Sequence, residues 1–144
     1  VSQKLVDAVY GILKQDESFM AHFGLSPSSS PEDIVKRIVK GMEPDQALSS
    51  SIVPLVTIYV KPGRYGRNHL VYEGKFCIDI YGKNAAQART IAERIFGLFH
   101  DDYLVGREFR SFRCSLAYDA DFATGISGVK GYEVIYDVDY IRAR

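Results

Sequence analysis

Apolar positions recur at helical spacing in three stretches of the chain and at strand spacing in four. In the first stretch Leu5, Ala8, Val9, Ile12 and Leu13 share one face while Lys4, Asp7 and Lys14 lie elsewhere, which predicts a helix from Ser2 to about Gln15. The following "SFMAHF" adds a turn or a short helix, and "GLSPSSSP" breaks the chain with Gly, Pro and Ser. Ser30-Pro31-Glu32-Asp33 reads as a helix start, with Ser as N-cap, Pro at the first helical position and acids in the first turn. Ile34, Val35, Ile38, Val39 and Met42 then supply an apolar face, with Lys36, Arg37 and Lys40 outward, and Gly41 and Pro44 end the helix.

Beyond this point the period shortens. "SIVPLVTIYV" is rich in β-branched residues and predicts a strand from Pro54 to Lys61. Leu70 to Tyr81 predicts a second strand, in which Phe76, Ile78 and Ile80 share a face. The two form a hairpin with a longer connection than the tight two-residue type. Helical period returns over Asn84–His100, where Ala88, Ile91, Ala92, Ile95, Leu98 and Phe99 make a buried stripe. Phe112, Cys114, Leu116 and Tyr118 then alternate with Ser111, Arg113 and Ser115, and "DADFATGISGVKG" is a turn-rich connection. In "YEVIYDVDYI", Val134, Tyr136, Val138 and Tyr140 fall on one face and Glu133, Asp137 and Asp139 on the other. The expected order is α-α-β-β-α-β-β. It describes one α+β domain over residues 1–144, sandwich-like, with a mostly antiparallel sheet packed against helices.

Charge narrows the functional classes. Eighteen Lys and Arg balance eighteen Asp and Glu in 144 residues, whereas a dedicated duplex-DNA binder is usually basic overall. No apolar run approaches the roughly 20 residues needed to cross a bilayer, and the charged N-terminal segment does not read as a signal peptide. Cys77 and Cys114 sit in strand-like segments without a CxxC pair or a His at ligand spacing. They are expected as two reduced core thiols, which suits assembly in a cytoplasm.

No catalytic, cofactor-binding or metal-binding residue is expected from the sequence. His22, His69 and His100 form no HxxxH or HExxH pattern, and a GxSxG nucleophile elbow is absent. Gly125, Gly128 and Gly131 have a GxxGxxG spacing but lie between strands, where turn conformations account for them. Asp119 with Asp121, and Asp137 with Asp139, are read as the polar face of a sheet in preference to a cation site. The loop "YVKPGRYGRNHLVY" carries Lys61, Arg64, Tyr65, Arg67 and His69 without an acid. A strand follows it where a phosphate-cradling loop needs a helix.

Two stretches together resemble the tail-terminator, or tail-to-head joining, proteins of long-tailed bacteriophages. They are "VPLVTIYVKPGRYGRNHLVYEGKFCIDIYGKNAAQARTIAERIFGLFHD" and "GISGVKGYEVIYDVDYIRAR", the latter ending in a short basic tail. The resemblance implies a small α/β subunit of the virion tail or neck, assembled in the host bacterial cytoplasm. It implies a homo-oligomeric ring, six-fold on the tail, that caps the tail tube protein, stops polymerisation and docks to the head connector and neck proteins. It carries over no catalytic residue, cofactor, membrane contact or sequence-specific nucleic acid, although DNA passes through the lumen of such a ring.

A closed ring requires two different complementary patches on each subunit. The basic residues Lys61, Arg64, Arg67 and His69, with Tyr65, and the acidic Glu133, Asp137 and Asp139 are opposite in character, and so are expected to be the interface residues. Three alternatives stay open: another neck or head-completion ring protein, a non-viral monomeric binding domain, and a lumen-facing role for the basic loop.

Overall fold

A computed structural model describes residues 2–142. Of the expected basic tail only Arg142 is among them; Arg144 lies outside the described residues. The chain is α+β, as the periodicity predicts. Helix α1 (Ser2–Gln15) leads into α2 (Glu17–Ala21) and α3 (Pro31–Val35), followed by β1 (Ile38–Lys40), β2 (Leu55–Tyr65) and β3 (Val71–Gly82). Helix α4 (Ala85–Phe99) is followed by β4 (Asp102–Gly106), β5 (Phe109–Phe122) and β6 (Lys130–Ile141). The six strands form one sheet in the order β1-β2-β3-β6-β5-β4. β1 runs parallel to β2, and every other neighbouring pair is antiparallel.

One face of this sheet meets the helices. Phe76, Ile78 and Ile80 of β3 and Val134, Tyr136, Val138 and Tyr140 of β6 pack with Leu5, Val9 and Leu13 of α1 and Ile91, Ile95 and Phe99 of α4. The period-2 faces of the central strands and the 3.6-period stripes of α1 and α4 therefore meet as predicted. Phe76 stacks on Tyr136 with ring centroids 5.3 Å apart, and Phe99 packs edge-on to Phe76 at 5.4 Å. Asn84 caps α4 by accepting from the Gln87 N–H at 2.8 Å. Both cysteines are buried and unpaired. Cys114 joins this core, whereas Cys77 points to the other face of the sheet.

Three expectations are corrected. The helix expected to run from Pro31 to Met42 ends at Val35, and Ile38–Lys40 becomes an edge strand registered on Val56–Ile58. Ile34 and Ile38 are buried, but Val35 and Met42 are 50% and 61% exposed, so the apolar positions never formed one helical stripe. The Arg37 guanidinium also donates to the Ile52 and Pro54 carbonyls, tying this segment to the entry of β2. Strand β4, not expected, pairs with β5 around a tight turn in which Glu108 adopts a left-handed φ of 55°. The expected alternation over Phe112–Tyr118 is interrupted by register shifts, leaving Phe112 and Tyr118 exposed while Cys114 stays buried.

Candidate functional site

Among the described residues the opposite face of the sheet carries no helix, and there the register of β2, β3 and β6 lines side chains up in four rows. Thr57, Asp79 and Glu133 form the first, and Tyr59, Cys77 and Ile135 the second. Lys61, Lys75 and Asp137 form the third, and Arg64, Glu73 and Asp139 the fourth. β2 reaches Arg64 in register because a bulge after Lys61 absorbs the Pro62-Gly63 step. This is also why the connection is shorter than expected: β2 runs past the expected end at Lys61 to take in Arg64 and Tyr65, and only Gly66–Leu70 turns the hairpin. Residues Val39, Val53, Leu55, Tyr81 and Val129 build a second, smaller apolar cluster over one end of this face.

Burial decides the chemistry of the first two rows. Thr57 and Cys77 are fully buried and Asp79 is 8% exposed, while Glu133 is half-buried. The Tyr59 hydroxyl donates to Asp79 Oδ2 at 2.9 Å and also lies 3.2 Å from Glu133 Oε2, and the Cys77 thiol lies 3.3 Å from Asp79 Oδ1. Burial, reinforced by the facing Glu133 carboxyl, pushes Asp79 up to about 6. Burial likewise raises the Cys77 thiol and the Tyr59 phenol far above their ordinary ranges, so both keep their protons in this arrangement. Thr57 Oγ1 has no protein hydrogen-bond partner among the described residues.

The third and fourth rows are charged and wetter. Lys61 Nζ lies 4.0 Å from Glu133, Lys75 pairs with Asp137, and Arg64 Nε lies 3.6 Å from Glu73. Burial and the neighbouring Glu73 and Asp137 charges raise the Asp139 carboxyl. Pro62, Gly63, Arg64, Glu73, Lys75, Asp137 and Asp139 line an open groove of about 520 Å³ here. The structure thus brings Lys61, Arg64, Glu133, Asp137 and Asp139 together on one face of one protomer. Tyr65 instead donates its hydroxyl to the Arg142 carbonyl at 2.9 Å, fastening the hairpin to the end of β6. Arg67 and His69 sit exposed at the hairpin tip, neither in an ion pair among the described residues.

Other candidates resolve simply. Asp119 accepts from the Tyr132 hydroxyl at 2.7 Å and Asp121 pairs with Arg89, so each carboxylate has its own partner. Gly125 and Gly128 take left-handed φ values of 75° and 79° in the β5–β6 turn. Gly131 lies in β6, where a Cβ would come within 2.6 Å of the Phe122 ring. The Cys77–Asp79–Glu133 cluster was missed from sequence. Cys77 and Asp79 are two apart on a strand and share a face, a readable signal, but their meeting with Glu133 depends on the β3–β6 register.

No known family's sequence pattern matches the chain, and no curated protein is similar to it in sequence. Its fold is similar to that of a chain from the virion of a native gene transfer agent (GTA) particle, with a TM-score of 0.69. The two are 12% identical, and the match covers 99% of this chain and 98% of that one. At that identity the likeness is one of fold. It takes in the helices and the whole sheet, not a shared submotif.

Proposed function

We propose that this chain is a structural subunit of a phage virion, acting at the head–tail junction. In this reading it caps the completed tail tube as a homo-oligomeric ring, halts tail polymerisation and presents the surface that meets the head connector. The observation that carries the proposal is the end-to-end fold similarity to a chain of a virion particle. It agrees with the resemblance of the strand, hairpin and helix pattern to tail terminators. Both support a virion role over a monomeric binding domain. A neck or head-completion ring is the nearest alternative, since one fold serves several roles.

The exposed hairpin is the natural arm for a neighbouring subunit or the tube. Arg64 is 86% exposed along its side chain and Arg67 is exposed at the tip. Replacing both with Glu is expected to abolish ring assembly while the monomer keeps its circular dichroism spectrum and melting temperature. Normal rings from that double variant would refute an interface role for the hairpin. The virion role itself is tested by electron microscopy of a lysate from a phage lacking the gene. DNA-filled heads beside unattached, overlong tails are expected. Detached tails of normal length would move the protein to the neck, and wild-type particles would remove it from virion assembly.

A further inference from the structure

We propose that Cys77, Asp79 and Glu133 form a binding site for a borderline divalent cation of the zinc type. One ligand atom from each residue lies within 4.8 Å of the other two. A tetrahedral zinc ion, with sulfur at about 2.3 Å and oxygen at about 2.0 Å, holds its ligand atoms about 3.3–3.5 Å apart. Closing on the ion therefore takes a movement of about 1.5 Å at most, within reach of side-chain rotation. The backbone needs no change: Cys77 and Asp79 are fixed on β3, and Glu133 is the register partner of Asp79 on β6.

A second, independent feature points into the same place. Thr57 stands directly opposite Asp79 on β2, so its side chain projects from the same face of the sheet. It is wholly buried, and its hydroxyl has no protein partner among the described residues. Buried hydroxyls are seldom left unpaired, and a water held on a bound ion would give this one its partner. Charge agrees with the geometry. Two carboxylates face each other across β3 and β6, and the nearest ammonium, that of Lys61, lies 4.0 Å from Glu133 on the solvent side.

The donor set selects the ion. Mg²⁺ and Ca²⁺ take oxygen ligands, whereas a sulfur beside two carboxylates suits Zn²⁺ or Co²⁺. On binding, the Cys77 S–H bond breaks, a sulfur–metal bond forms, and the proton leaves to solvent. The Tyr59 hydroxyl donates its one proton to Asp79 Oδ2 and so orients that carboxylate. None of this depends on the virion role proposed above.

The test uses the full chain, reduced, titrated with Co²⁺. A thiolate-to-cobalt charge-transfer band is expected to saturate at one equivalent and to be displaced by Zn²⁺. Cys77→Ser should abolish the band, Glu133→Gln should weaken binding by about tenfold or more, and Cys114→Ser should leave it unchanged. Glu133 is half-buried, so Glu133→Gln keeps the fold and supplies a second readout. Zn²⁺ should raise the melting temperature of the wild type by more than that of this variant, and Mg²⁺ should raise neither. The absence of a band in the wild type, a band that survives Cys77→Ser, or equal stabilisation by Mg²⁺ would each overturn the proposal.

Discussion

Asp16 performs two tasks at the corner between α1 and α2, and substitution can separate them. As N-cap of α2 its Oδ2 accepts from the Phe19 N–H at 2.8 Å. The same carboxylate receives Arg94 of α4 in a two-pronged pair, Nε at 2.8 Å and Nη2 at 2.6 Å. The cap directs Phe19 and Met20, both fully buried, into the core, and the pair ties that corner to the central helix. An N-cap of this type contributes about 1 kcal/mol. The ion pair is bidentate, but the Arg94 side chain is 38% exposed, so screening holds it to about 1 kcal/mol. Asp16→Ala should therefore cost about 2 kcal/mol. Asp16→Asn, which retains a capping oxygen, and Arg94→Met should each cost about 1 kcal/mol. Urea denaturation of the three variants and of Asp16→Asn/Arg94→Met closes the cycle.

The pH dependence has a definite sign. Arg94 holds the Asp16 carboxyl below its ordinary 3.8, against the opposing effect of burial. In the acid range the unfolded chain thus binds a proton that the folded chain refuses, and stability falls as pH falls. The gap between wild type and Asp16→Asn should be full at neutral pH. It should start to close below the ordinary 3.8 and vanish once the pH drops under the depressed native value. A gap that widened on acidification, or an Asp16→Ala variant no worse than Asp16→Asn, would refute the division into cap and pair.

Two further outcomes follow from the packing. The Tyr136 hydroxyl is buried without a protein partner among the described residues, while its ring stacks on Phe76 and packs at a tilt against Phe99. Tyr136→Phe keeps those rings together and should leave thermal stability unchanged or raise it by about 1 kcal/mol, so a loss of that size would refute the assignment. Gly106 lies where a Cβ would come within 2.7 Å of Ala8 Cβ and 3.2 Å of Ala8 Cα. Gly106→Val should push α1 off β4 and cost about 1–3 kcal/mol in a denaturant melt, and an unaffected midpoint would show that the contact is slack.

Legibility in the sequence followed how much of each element's pattern was local. Helices α1 and α4 and strands β3 and β6 each bury a full periodic face against the same core, so period alone located them. "EDIVKRIVKGM" satisfied a helical count, yet its β-branched residues had a better partner in the parallel edge of β2, information held elsewhere in the chain. Strand β4 offers only Leu104 to the core, between exposed Tyr103 and Val105, too little alternation to register. Pro62 and Gly63 read as a loop because both disfavour strands. They are tolerated here as a bulge on β2, whose outer side is free beyond its short pairing with β1. Membership of the buried polar cluster was the least legible feature, because it is a property of register between distant strands.

Zero net charge with separated basic and acidic stretches suggests two patches that meet partners on neighbouring subunits. The sheet register gives the same charges a nearer use. Lys61 faces Glu133, and Lys75 pairs with Asp137, so much of the basic and acidic character of β2, β3 and β6 is matched within one protomer. A charge already paired gains little by changing partners, since the first pair must be broken and both groups stripped of water to make the second. Within the proposed ring, the larger gain in electrostatic attraction belongs to side chains that fold without a partner. Arg67 at the exposed hairpin tip has no ion-pair partner among the described residues, and Arg64, only loosely held by Glu73 at 3.6 Å, is close to the same condition. Tyr65 serves the same end indirectly: by fastening β2 to the end of β6 it restrains the base of the hairpin. Restraint of this kind reduces the freedom lost on docking, and that lowered ordering cost helps a contact with few charges hold.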